Sequence, residues 1–211
     1  MTAADSIKAA FPGSIYIDAP AADRRRWAAG YLDAMWGDHE GFACYAHGKP
    51  YIDAKSGKYR HHEFNHHFLP WPTARGALVD ALLARAAGGL DVWVAPMLRA
   101  TKARTKGTGA GSQWAWADLD DDMTVTRRAA IHALGSNARV VSSGTGHHVY
   151  VRLDSWRPVE VVEATNRKLA ALVEGDAKWD DTSLLRPPGT FNLKPLIRHG
   201  AAPALVQAVE L

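Results

Sequence analysis

The sequence predicts a mixed α/β (α+β) fold, and three observations carry that prediction. Helix-period and strand-period segments alternate along all 211 residues, Gly and Pro punctuate them at short intervals, and 47% apolar with 22% charged residues is the balance of one compact domain. At this length a folded chain buries roughly 70% of the surface exposed when unfolded, so neither disulfides nor a structural metal is needed for stability. Cys44 is the single cysteine, which excludes an internal disulfide and a cysteine-based zinc site and points to a reducing cytoplasm. The opening Met-Thr-Ala-Ala-Asp-Ser has no basic region followed by an apolar run, and no apolar stretch approaches about 18 residues, so neither targeting nor a membrane partner is expected.

Residues 21–36 read as a helix, with Trp27, Tyr31, Leu32 and Met35 at helical spacing and Gly37 as the stop. From 41 to 68 the pattern is shorter and more aromatic, which predicts strands joined by turns at Gly48, Pro50 and Gly57. A second helix is expected at about 73–87, facing Leu78, Leu82, Leu83 and Ala86 inward and stopping at Gly88-Gly89. Residues 90–98 read as a buried strand, 101–112 as a Gly/Thr/Lys-rich loop and 113–119 as a strand. A helix at 124–134 is capped by Thr124 or Thr126. Strands at 139–142 and 147–153 flank a Ser-Gly-Thr-Gly turn, and Pro158 starts a helix to about Leu172. A Pro-Pro-Gly turn lies within 180–192, and a short strand closes the chain near 204–209.

The formal charge of +3 permits a polyanionic partner without demonstrating one. Its distribution says more: the basic run Lys102, Arg104, Lys106 precedes an acidic run, Asp118, Asp120, Asp121, Asp122, by barely a dozen residues. That arrangement suits a site handling phosphates and cations together. In the strand ending Asp118-Leu-Asp120, period-two alternation puts both carboxylates on one face with Cα atoms about 6.6 Å apart. Carboxylates so placed can converge on two divalent ions roughly 3.5–4 Å apart. The same alternation puts Trp114 and Trp116 on the acidic face, where they must pack beneath the site or a bulge must re-aim the strand. A solvated acidic turn is the plain alternative. A calcium loop of the EF-hand type fails, with Met123 where Gly is required and Ala129 where Glu is.

Two further segments carry chemistry. In Ser142-Ser-Gly-Thr-Gly-His-His-Val-Tyr-Val-Arg152, Gly144 and Gly146 allow backbone N–H groups to approach a phosphate. Alternation then sends His148, Tyr150 and Arg152 one way and His147 the other. In Trp179-Asp180-Asp181 through Arg186, Asn192 and Lys194, a further carboxylate, cations and an amide surround a rigid turn. Taken singly, each is also readable as a packed sheet histidine or an ordinary loop.

Together, and in this order, the three segments resemble the archaeo-eukaryotic primase superfamily, in the primase-polymerase branch found on phages and mobile elements. The resemblance rests on a hydrophobic strand ending Asp-x-Asp, a Ser-Gly-x-Gly-x-His-x-Tyr segment and a third Asp ahead of Leu-Leu-Arg-x-Pro-Gly-Thr-x-Asn-x-Lys. It implies an RRM-like catalytic sheet over about 90–211, an N-terminal α/β part over about 1–89, and an active cleft between them within a single domain. It implies Asp118, Asp120 and Asp180 as catalytic ligands of two Mg²⁺ or Mn²⁺ ions, with Asp181 as the fallback for the third. His148 falls on the histidine that contacts nucleotide phosphates; Ser143, Gly144 and Gly146 would shape the triphosphate pocket, and Arg186 and Lys194 would contact phosphate or template. No zinc is expected: Cys44 alone cannot build the zinc element of many relatives, and His61, His62, His66 and His67 read as lining a wet strand.

The implied reaction is template-directed nucleotidyl transfer, as DNA primase or DNA polymerase, in the replication of a phage, plasmid or integrated element in a bacterial host's cytoplasm. Its partners would be NTP or dNTP, a single-stranded DNA template and primer, and a helicase or primer-organising region C-terminal in a longer protein. Lys102, Arg104 and Lys106, with some of Trp93, Tyr59 and Arg60, would hold the template by charge and stacking, a solvated loop or core aromatics being the plain alternative. A catalytically idle single-stranded-DNA-binding module is the rival from another class. A rolling-circle nuclease needs His-hydrophobic-His, whereas His147 and His148 are adjacent. No Gly-x-x-x-x-Gly-Lys-[Ser/Thr] is present for a nucleotide-driven motor.

Overall fold

Helix α1 (Ala21–Trp36) opens the structure, a computed structural model that describes residues 19–120 and 122–209. Asp121 of the acidic run and the opening six residues lie outside the described residues. α1 buries Ala28, Leu32, Met35 and Trp36, a helical stripe, and ends where Gly37 adopts φ 52° and its N–H bonds Asp33 O. Trp27 and Tyr31, expected on the same stripe, are half-buried at its margin.

β1 (Gly41–Ile52) and β2 (Tyr59–Trp71) form a long antiparallel hairpin, with a register shift between His47 and Lys49. α2 (Arg75–Ala87) buries Leu78, Val79, Leu82 and Ala86, with Val79 taking the inward place expected of Leu83. β3 (Asp91–Val94) pairs antiparallel with β1 and completes a first sheet of order β2-β1-β3. The strand expected at 90–98 is therefore shorter, and it belongs to the N-terminal sheet rather than to the catalytic part that was expected to begin at about 90.

The second sheet has order β4-β6-β5-β9 and is wholly antiparallel. Its strands are β4 (Ser112–Leu119), β5 (Ala138–Ser142), β6 (His147–Arg157) and β9 (Gln207–Val209). Between them run α3 (Val125–Ala133), whose Thr124 side chain accepts Arg127 N–H as N-cap, and α4 (Val159–Val173). β7 (Phe191–Asn192) and β8 (Ala204–Leu205) pair with each other, and between them lies α5 (Lys194–His199), a helix the sequence reading leaves as loop. Its six residues, with Pro195 near the start and Gly200 at the end, are too few to show a period.

Both faces of β4 are covered. Ala115, Ala117 and Leu119 pack with Ile131, Val140, Val149, Leu169 and Val173 in one core, under α3 and α4. Trp114 and Trp116 face the other way, into a larger core shared with α1, α2 and the first sheet. The tryptophans thus pack beneath the acidic end of their strand without a bulge at that end: the Trp114 indole N–H donates to Ala34 O and that of Trp116 to Lys178 O.

Candidate active site

β4 and β6 pair with Asp118 opposite His148, so both side chains lie on the face that Trp116 and Tyr150 share one row back. Asp118 is buried at the strand end, and Asp120 stands exposed just beyond it. The third carboxylate beside them is Asp176: ligand oxygens of Asp118, Asp120 and Asp176 lie within 4.8 Å of one another. α4 delivers it by local geometry. Glu174 takes a left-handed conformation that ends the helix, and Gly175 follows. A Cβ on Gly175 would lie 2.9 Å from Asp118 O, and Asp176 N–H donates to that same oxygen at 2.7 Å.

The expected third ligand, Asp180, is not one of these three grouped carboxylates. Asp180 Oδ1 accepts the backbone N–H and the hydroxyl of Thr182, at 3.0 and 2.8 Å, so its carboxylate closes its own turn. The fallback, Asp181, is fully buried: it pairs with Arg99 and accepts Gly107 N–H at 3.0 Å and Gly109 N–H at 2.9 Å, pinning the Gly-rich loop. The sequence signal for Asp176 is a Glu-Gly-Asp step directly after the apolar run of α4.

The acidic group is under electrostatic load. Burial and the neighbouring Asp120 carboxylate push Asp176 upward. For Asp120, burial is outweighed by its hydrogen bond to Asp176 and by Lys178 and Lys194, and its pKa falls. Lys178 Nζ contacts Asp118 and lies 3.6 Å from Asp120 and 3.8 Å from Asp176, and these carboxylates, Asp118 foremost, outweigh burial and raise its pKa. An ammonium thus stands in the place of a cation, and three hard oxygen donors around that place fit Mg²⁺ or Mn²⁺.

Asp118 and Asp120 share the lining of a cavity of about 250 Å³ with a group of donors. Ser143, Thr145, Asn192, Arg186, Lys194 and Arg198 line it. Ser143 sits in the tight turn closed by its N–H to Gly146 O, and Asn192 Nδ2 donates to Ser143 O at 2.8 Å. Gly144 has φ 92°, and a Cβ on Gly146 would lie 2.0 Å from Leu119 O, so glycine there lets the turn rest on the end of β4. His148 Nε2 is 3.6 Å from Asp118 Oδ1. Burial, only partly opposed by Asp118, lowers its pKa to about 4, so the imidazole is neutral at pH 7 and offers a hydrogen bond.

The remaining wall comes from the first sheet, and Tyr59, His61 and Trp93 line the cavity from it. Asp91 is fully buried and accepts Tyr59 O–H, His61 Nε2 at 2.7 Å, Arg186 Nη1 at 2.7 Å and Leu193 N–H at 3.1 Å. Arg186 also lies 4.7 Å from the Trp93 ring centroid. Among the expected wet-strand histidines, His61 turns into the cavity; His62 and His66 are exposed, and His67 Nε2 meets His47 Nε2 at 3.0 Å. In the basic loop, Lys102 and Lys106 are exposed while Arg104 turns inward to Thr182 O; none of the three lines the cavity.

No protein-family model and no curated protein matches the chain. Solved structures do. Primase RepB' aligns over 89% of this chain and 56% of its own, with TM-score 0.57 and 16% identity. The archaeo-eukaryotic primase domain of cyanophage S-2L primase-polymerase aligns over 81% of each chain, with TM-score 0.57 and 13% identity. The catalytic domain of RepB' in complex with initiator DNA aligns over 89% and 85%, with TM-score 0.57 and 14% identity. The chain therefore has the fold of archaeo-eukaryotic primase-type primase-polymerase domains, with helices and antiparallel sheets arranged in the same way, and it spans a little over half of the RepB' chain. No helix among the described residues is long and apolar enough to cross a membrane.

Proposed function

We propose that this domain carries out template-directed nucleotidyl transfer, as a DNA primase or DNA polymerase, on NTP or dNTP. The observation that carries the reading is the meeting of two charge sets at one cavity: Asp118 and Asp120, with Asp176 grouped beside them, and Arg186, Lys194 and Arg198 in the same lining. Divalent cations belong between the carboxylates and a triphosphate against the cations. The chemistry supplied by two bound Mg²⁺ or Mn²⁺ ions is to lower the pKa of a 3′-hydroxyl and to neutralise charge on the leaving pyrophosphate.

The protein's own groups position the reactants. Arg186, held in place by Asp91 and Trp93, presents a fixed guanidinium to phosphate oxygens, and Lys194 and Arg198 add charge beside it. Ser143 and Thr145 offer hydroxyls from the glycine turn, and neutral His148 orients a phosphate or the Asp118 carboxylate by hydrogen bonding. Lys178 gives way to the metal and is then free to meet the same phosphates. Exposed Lys102 and Lys106 would hold the template in passing. The replication context, the bacterial host cytoplasm and a downstream helicase or primer-organising region belong to this same proposal.

The test is incubation with single-stranded template, labelled nucleotides and Mg²⁺ or Mn²⁺, with and without primer. Extension is expected for the wild type and for Asp180→Asn, and its loss for Asp176→Asn and for Asp118→Ala with Asp120→Ala. Extension surviving the double change overturns the reading and leaves a DNA-holding module. Loss in Asp180→Asn alone, with Asp176→Asn active, would return the third ligand to Asp180.

A further inference from the structure

Past β3, the first sheet narrows to a two-stranded ribbon. β3 pairs only with Tyr45–Gly48 of β1, so residues 49–52 of β1 and 59–62 of β2 are paired with each other alone. The register sets Lys49 against His62 and Tyr51 against Arg60, which places these four on one face. Tyr59 and His61 occupy the opposite face, the one that bonds Asp91 and walls the cavity. Of Tyr59, Arg60 and Trp93, some of which the sequence offered to a template, the pleat puts Arg60 on the outward face and leaves Tyr59 and Trp93 on the cavity side.

The outward face is cationic and partly aromatic. Lys49, Arg60 and His62 are exposed, and Tyr51 stacks on His62 with centroids 3.7 Å apart and planes 10° from parallel. Lys55 and Lys58 are exposed at the tip, and Lys49, Lys55, Lys58 and Arg60 make no ion pair among the described residues. The one carboxylate of the turn, Asp53, is engaged by its own loop, accepting Ser56 N–H at 2.7 Å and Lys55 N–H at 3.1 Å. Residues 49–62 hold four Lys and Arg against one Asp, an excess as large as the +3 of the whole chain.

From this placement we infer that the outer face of the ribbon is a binding surface for single-stranded DNA, gripping the sugar–phosphate backbone with Lys49, Lys58 and Arg60 and offering the Tyr51–His62 ring pair to a base. The inference rests on the nucleotidyl-transfer reading for the identity of the polymer. A strand leaving the cavity past Tyr59 and His61 reaches the basic face by rounding the edge strand β2, and a strand to be copied must be unpaired there. Partnerless cations along an extended ribbon release counterions on meeting a polyanion, and ring faces stack bases without sequence preference.

Binding is measured by fluorescence anisotropy with a labelled single-stranded oligodeoxynucleotide and with its duplex, in chelator and without nucleotide, so that catalysis plays no part. K49E/K58E/R60E, and its neutral counterpart K49Q/K58Q/R60Q, should weaken single-strand binding about tenfold or more and flatten the salt dependence by a slope of about 2. K168E, an exposed reversal on α4, should leave binding unchanged, and circular dichroism melting should be the same in all four. Wild-type affinity in both triple variants, an equal loss in K168E, or a loss confined to the duplex overturns the inference. If the triple variants lose single-strand binding while wild-type protein adds no nucleotide, the ribbon stands and the polymerase reading alone falls.

Discussion

The Asp91 carboxylate is fully buried and yet ionised. Burial pushes its pKa up, but His61, Arg186 and Tyr59 together outweigh that and hold it at about 2. A folded-state pKa below the usual carboxylate value near 3.8 means stability present above about pH 4 and lost as pH falls toward 2. The size of that contribution is about 2 kcal/mol. Asp91→Asn should cost about 3 kcal/mol at pH 7, because it leaves Arg186 buried without its counter-charge. It should also flatten the acid limb of the stability profile. Urea denaturation across pH 2–7 reads both; a variant as stable and as acid-sensitive as wild type would show that Asp91 does not hold the wall together.

At the scale of elements, the site is assembled by two chain reversals against the end of β4. The β5–β6 turn rests on Leu119 O through Gly146, and the exit of α4 rests on Asp118 O through Gly175 and Asp176. Buried Asn166 on α4 ties these pieces together, accepting Trp116 N–H at 2.8 Å and donating to Trp179 O at 3.0 Å. Gly146→Ala puts a methyl 2.0 Å from a backbone oxygen that cannot move without shifting β4. The expected cost is about 2 kcal/mol or more, a fall of roughly 6 °C in melting temperature, accompanied by loss of nucleotide addition. An alanine variant with wild-type melting would mean that the turn relaxes away from β4 freely.

At the scale of the molecule, the larger core joins the two sheets: Tyr45 and Val94 of the first share it with Trp116 and Tyr150 of the second, and the Asp91–Arg186 pair bonds the first sheet to the Pro-Gly turn. Two sheets sharing one core should unfold as one unit. Tryptophan fluorescence, weighted to the shared core, and far-ultraviolet circular dichroism should therefore give superimposable urea transitions. Separate midpoints would make the halves independent domains with the cavity as a mere seam.

The fold was largely legible in the sequence because its elements announce themselves locally. α1 has its stripe and Gly37, α3 its Thr124 cap, and the alternation of β4 and β6 was enough to put Asp118 with Asp120 and His148 with Tyr150, each pair on one face of its own strand. Short α5 and the two-residue β7, lacking a full period, were not, and the strand at β3 was read too long. Nor was the third carboxylate, since Asp176, Asp180 and Asp181 are chemically alike and differ only in what surrounds them. The left-handed exit of α4 aims the first at Asp118, Thr182 engages the second, and Arg99 buries the third. By itself the sequence determined which elements form and which side chains are available for a charged site. The tertiary structure alone decided which of them meet, because proximity between residues of β3, β4, α4 and the 186–194 segment is set by packing across two sheets, and no local period encodes it.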